Sequence, residues 1–276
     1  GEGRLQPALA HYERAAKLAP TDERVMAAQL YGQGVAGDAA KVGSLAKSAL
    51  ATHAGSGMLR TTAAEALWHS GKPLPEVVAE LERGRAGLQG EDAFRVDLAI
   101  GDARRKLGDI EPALAAYRAA LAYQADSPEA LWGEASTLAL AERWDAAFAR
   151  YEQVVRLRTG VVPLRADYAR DLLRAGRLPA AAEQLAAAKL LDPDEPNMLA
   201  VEALRLRLSG DAAGARTLAD GVLKAAPWCD LAAIVRGITP ASSTPSYVFD
   251  EKRSTWVSIH EHPAVEDRVR VLLQRP

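Results

Sequence analysis

Cysteine is almost missing from this chain: Cys229 stands alone among 276 residues. A lone thiol excludes an intramolecular disulfide and any metal site built from several cysteines. It fits a reducing compartment, so the cytoplasm is favoured, with the periplasm compatible. Asparagine is equally scarce, at Asn197 only, and aromatics make up 5% of the chain. So few bulky rings disfavour a sandwich or barrel, whose strands want aromatic and branched side chains. No stretch approaches 18 uninterrupted apolar residues and no basic-then-apolar leader opens the chain, so no direct membrane insertion by this segment is expected. Formal net charge is −2, which removes any general pull toward nucleic acid or acidic lipid. Also missing are a lysine-bearing phosphate loop, a Gly-x-Ser-x-Gly elbow and a His-Glu-x-x-His zinc motif. No catalytic residue, metal or cofactor is therefore assigned.

What the chain has is alanine, the strongest helix former, and a repeat. Gly108, Ala113, Tyr117, Ala120 and Ala125 define one unit, and steps of 34 residues reproduce it. The next three begin at Glu142, Gly176 and Gly210, with Ala147, Ala181 and Ala215 at the first alanine position. Tyr151, Leu185 and Ala219 fill the large-residue position, and Val154, Ala188 and Val222 follow. Upstream, Gly3, Ala8, Tyr12, Ala15 and Pro20 carry the same pattern, and Gly37 and Gly71 continue it. The spacing 0, +4, +7 puts alanine, large residue and alanine on one helical face. Glycine suits the tight turn between two helices, where positive φ is often required. Pro20, Pro193 and Pro227 end one helix pair and begin the next.

This pattern resembles the tetratricopeptide repeat family over roughly residues 1–237. The family's helix-A tryptophan is replaced here by Met26, Leu131, Arg165 and Leu199. The resemblance implies an all-α fold, an α-solenoid of antiparallel helix pairs forming a right-handed superhelix of about seven repeat units. Gly3 would mark a turn from helix A to helix B, leaving the first unit without its helix A and pointing to a truncated chain. Residues 238–252, rich in Pro, Ser and Thr, read as a linker, and 253–276 as a short helical tail with Val265, Val269, Leu272 and Leu273 on its apolar stripe.

In this family the A helices line a concave groove. Carried over residue by residue, the rule selects Arg24, Tyr31, Glu65, Trp68, His69, Arg95, Asp102, Arg105 and Lys106. It continues with Trp132, Ser136, Arg170, Arg174, Asn197 and Arg207. Arginine is the commonest type in the set, and its planar fork grips carboxylates. The expected function is a non-catalytic scaffold binding a protein or peptide, with acidic character, in that groove. Arg170 and Arg174 are the favoured pair. The carboxylate clamp that grips chaperone tails needs several asparagines, so that sub-type is excluded.

The tail carries a second resemblance, over about fifteen residues, to HtpX-like zinc peptidases. His262, Pro263, Arg268, Val269 and Leu272 match that family's spacing, with Ser258 upstream, while His260 and Glu261 replace its Ser-Thr pair. It implies an alternative: an accessory repeat domain of a membrane-associated peptidase whose catalytic part lies upstream.

Overall fold

The computed structural model describes residues 2–238, 247–250, 255–258 and 269–274. Fourteen helices follow one another through residues 2–236. They are α1 (Glu2–Leu18), α2 (Glu23–Val35), α3 (Ala39–Thr52), α4 (Gly57–His69), α5 (Leu74–Arg85), α6 (Gly90–Leu107) and α7 (Ile110–Tyr123). Then come α8 (Pro128–Leu140), α9 (Trp144–Leu157), α10 (Val162–Arg174), α11 (Leu178–Leu191), α12 (Pro196–Leu208), α13 (Ala212–Ala225) and α14 (Asp230–Arg236). The chain divides into two compact units, Gly1–Gly133 and Glu134–Pro276, and α8 runs across the division.

Within the first unit α2, α4 and α6 pack in a row, and α1, α3, α5 and α7 each pack against members of that row. The second unit repeats the scheme, with α10, α12 and α14 in the row and α9, α11 and α13 against it. This is the nearest-neighbour stacking of a solenoid: each pair buries its apolar face on the next.

The helix boundaries follow the 34-residue register. Gly108, Gly176 and Gly210 take φ of 78°, 76° and 92° between the two helices of a pair. Behind Gly176 the Arg177 amide reaches back to the Leu172 carbonyl at 2.8 Å, closing a glycine-type helix end. Glu142 adopts the same left-handed conformation, φ 57°, without being glycine, and Arg143 donates to the Leu138 carbonyl at 2.9 Å. The turn geometry is thus imposed by the stack even where the favoured residue is missing. Helix starts are capped locally: Asp22 accepts from the amides of Arg24 and Val25, Ser56 from Leu59, and Asp211 from Gly214.

The alanines sit where helices meet. Ala113, Ala147, Ala181 and Ala215 are all buried, as are Tyr117, Tyr151, Leu185 and Ala219 one turn on. Tyr117 marks a close approach of neighbouring helices. Its ring lies against Gly101 of α6 and Gly133 of α8, and a Cβ built at Gly133 would stand 2.2 Å from the ring.

Two expectations are corrected. Gly3 lies inside α1, which begins at Glu2, and not at a turn. Residues 247–258 are not linker and helix throughout: β1 (Tyr247–Asp250) and β2 (Thr255–Ser258) pair antiparallel, Tyr247 opposite Ser258 and Asp250 opposite Thr255. Tyr-Val-Phe and Thr-Trp-Val are strand-favouring triplets that a search for helical period passes over. The described helical part of the tail is confined to residues 269–273, where Val269 is fully buried. Val265, His262, Pro263 and Arg268 lie outside the described residues.

Candidate functional site

The groove-lining candidates separate into three groups once their side chains are placed. The first is a polar cluster on the row α2, α4 and α6 of the first unit. Lys106 of α6 sets its Nζ 3.8 Å from the centroid of the Trp68 ring of α4. The His69 ring lies 5.2 Å from Trp68. Asp102, one turn before Lys106, accepts a 2.6 Å hydrogen bond from the Tyr117 hydroxyl, and Arg105 Nε donates to that hydroxyl at 3.3 Å. Tyr31 of α2 and Glu65 of α4 interact electrostatically.

Proton affinities in this cluster follow from burial and neighbouring charge. Burial disfavours charge on His69 and, with the nearby Lys106 ammonium, lowers its pKa to about 4, so the imidazole is neutral at pH 7. Lys106 falls to about 8, again chiefly by desolvation and by Arg105, against the opposing pull of Asp102 and Glu65. Water still reaches Glu65, yet the surrounding protein raises its carboxyl pKa, with Asp102 adding to the rise and Lys106 opposing it. Burial and Asp102 push the Tyr117 hydroxyl well above its ordinary value. Among the described residues the Lys106 ammonium forms no hydrogen bond or ion pair and rests on the Trp68 face. A half-buried cation thus rests on an indole with no carboxylate in contact.

The second group is internal. Arg170 and Arg174 are 8% and 4% exposed at their side chains. Arg170 pairs with Asp167 at 2.8 Å, and Arg174 with Asp171 at 2.7 Å. Asp171, itself buried, also accepts from the Tyr151 hydroxyl at 2.8 Å, and Arg174 donates to the Ala139 carbonyl. The favoured arginine pair therefore holds α10 in place within the second unit, and charge there is already met by charge. The signal was present in Arg-Ala-Asp-Tyr-Ala-Arg-Asp-Leu-Leu-Arg: each of the two arginines has an aspartate three residues before it, on the same helix face.

The third group is dispersed. Arg24 is exposed, and Arg95 is exposed and paired with Glu91 on its own helix. Trp132 is half-buried in α8. Asn197 donates to Glu195 at 3.3 Å and accepts from the Cys229 thiol at 3.8 Å, a structural role at the start of α12. Ser136 lies beside the Tyr151 hydroxyl at 3.1 Å. Arg207 is exposed at the rim of a cavity at the end of the second unit. The Tyr117 hydroxyl, which joins the first cluster, was not among the sequence candidates; a large residue at that position reads as gap filler. Among the described residues no group of three His, Cys, Asp or Glu could hold a metal ion, and no helix is long and apolar enough to cross a membrane.

Comparison with known proteins places the fold. No protein-family model and no curated protein matches the chain. Among solved structures, PilW, described as a widely conserved type IV pilus biogenesis factor, is similar with a TM-score of 0.58 at 20% identity, over 71% of this chain and 90% of that one. YrrB, described as a TPR protein with an unusual peptide-binding site, is similar at 16% identity over 68% of this chain and 95% of that one, with a TM-score of 0.49. Stacked helix pairs, the 34-residue register and buried alanines at their crossings give this chain the tetratricopeptide-repeat fold, an α-solenoid.

Proposed function

We propose that the chain is a protein-interaction scaffold whose first unit takes a peptide or protein segment along α2, α4 and α6, with an acidic side chain seated at Lys106. The observation that carries this is the Lys106–Trp68 pair, an apolar face and a cation presented together without an internal carboxylate in contact. Arg105, a quarter exposed, adds a guanidinium next to it in sequence. Neutral His69 extends the ring surface without adding charge repulsion. The site offers binding and no bond-making: its acids and bases are either locked to one another, as Asp102 to Tyr117, or spread across the wall. A scaffold role is the general reading; the acidic preference is the finer one.

Selection of a random peptide display library on the full chain tests both. Enrichment of peptides carrying Asp or Glu beside apolar residues is expected, with about tenfold weaker binding of those peptides to Lys106→Glu and to Trp68→Ala. Equal binding to wild type and Lys106→Glu would remove the acidic preference. A library that yields no binder would remove the scaffold reading of this face.

A further inference from the structure

A second polar feature lies apart from the first unit. At the end of the second unit a cavity of about 250 Å³ is lined by four arginines, Arg207 of α12, Arg216 of α13, Arg236 of α14 and Arg270 of the tail helix. Its other walls are apolar: Ala212, Ala215, Ile234, Val235 and Leu273. Gln274 and Gly237 complete it, and no acidic residue lines it. Arg236 is neutralised by Asp220 at 2.6 Å. Arg207 and Arg216 form no ion pair or hydrogen bond through their side chains among the described residues. The tail helix is held to this unit by Val269, which is fully buried, so the wall that carries Arg270 and Leu273 is anchored.

Like charges that line one small space repel, and a protein tolerates this most easily when an anion joins them. The space is larger than one oxyanion, and the hydrocarbon lining Ile234, Val235 and Leu273 would gain by being covered. We propose that this cavity binds a peptide carboxylate whose neighbouring side chain is apolar, the carboxylate meeting Arg207 and Arg216 and the apolar group resting on Ile234, Val235 and Leu273. That carboxylate comes from a chain terminus or from an Asp or Glu side chain; the chemistry is the same. The inference rests on the reading of the chain as a peptide-binding scaffold and places a second contact in the second unit.

The test uses the full chain labelled with nitrogen-15, with arginine Nε–Hε resonances as the readout. Three probes are titrated: acetyl-Ala-Leu-Ala-Leu with a free carboxylate, the same peptide amidated, and amidated acetyl-Ala-Leu-Asp-Leu. Shifts at Arg207 and Arg216 with the first probe alone assign the site to a chain terminus. Shifts with the third as well assign it to carboxylates of either source. Both outcomes support the proposal, and the double substitution Arg207→Ser, Arg216→Ser then weakens binding about tenfold or more. These side chains form no hydrogen bond or ion pair among the described residues, so the variant should fold as wild type, checked by circular dichroism. Binding of all three probes alike, unchanged binding to the double variant, or inorganic phosphate that binds as tightly as the free-carboxylate peptide would overturn it. Lys106→Glu serves as control: it should leave these shifts unchanged, so failure here and failure of the first-unit site are read separately.

Discussion

Gly133→Ala should destabilise the protein, although alanine is the better helix former. On an exposed helix the change would gain roughly 0.5–1 kcal/mol, because glycine loses more backbone freedom on folding. Here the added methyl would stand 2.2 Å from Tyr117 Cε1, 2.4 Å from Cζ and 2.8 Å from the hydroxyl oxygen. The ring is also confined by Gly101, where a Cβ would lie 2.7 Å from it. Its hydroxyl is also tied to Asp102 at 2.6 Å, and the residue is fully buried. Overpacking of this kind costs about 1–3 kcal/mol, so the net effect should be a loss of about 1–2 kcal/mol after the helix gain. Tyr117→Ala alone should cost about 3–5 kcal/mol by opening a cavity. In that background Gly133→Ala should change sign and stabilise, because the methyl enters empty space. Urea denaturation of the four proteins of this cycle, followed by far-UV circular dichroism, measures the coupling, which should reach about 2 kcal/mol. If Gly133→Ala stabilises wild type and the Tyr117→Ala variant by the same amount, the tyrosine is not wedged between the two glycines and the packing account is wrong.

Other outcomes follow from the same structure. Glu142→Gly should stabilise by about 0.5–1 kcal/mol, since a side chain at positive φ is strained by roughly 1–2 kcal/mol and glycine returns part of that in the unfolded chain; a lower melting temperature would show that the left-handed turn is not the dominant cost. Asp171→Ala should cost about 3–5 kcal/mol, because Arg174 and Tyr151 lose a buried partner; thermal melting beside wild type checks it. His69 has its pKa lowered to about 4 from 6.5, so below pH 6.5 the unfolded chain takes up a proton that the folded chain refuses. Its contribution is therefore complete above pH 6.5 and lost as pH falls toward 4, and His69→Gln should flatten that limb of a stability-versus-pH curve. Lys106, lowered to about 8, should titrate ahead of the other lysines in a carbon-detected magnetic resonance titration, and Trp68→Ala should move that titration as the site opens to water.

Helix boundaries were legible because each rests on a residue whose backbone preference acts locally. Gly176 at positive φ and Pro193 between α11 and α12 need no knowledge of the partner helix. Ala181 was legible for a different reason, since a small residue recurring every 34 positions records a contact that recurs too. The hairpin of β1 and β2 was missed because two four-residue strands are too short for period two to stand out against a Pro, Ser and Thr-rich stretch.

The groove side chains were only half legible, and the reason is physical. Position in the repeat fixes the direction in which a side chain leaves the helix, but not whether its charge is already met. Arg105 and Arg174 both sit on repeat positions that the family resemblance assigns to a groove; the first is 24% exposed at its side chain and the second 4%. What separates them is the company three residues earlier and on the neighbouring helix. Arg174 meets Asp171 at 2.7 Å, the Ala139 carbonyl, and the Trp144 ring at 5.2 Å, whereas Arg105 stands 3.9 Å from an Asp102 already taken by Tyr117. Subtracting internal charge pairs from the repeat positions leaves, in the first unit, Lys106 on Trp68, the contact on which the proposed site rests.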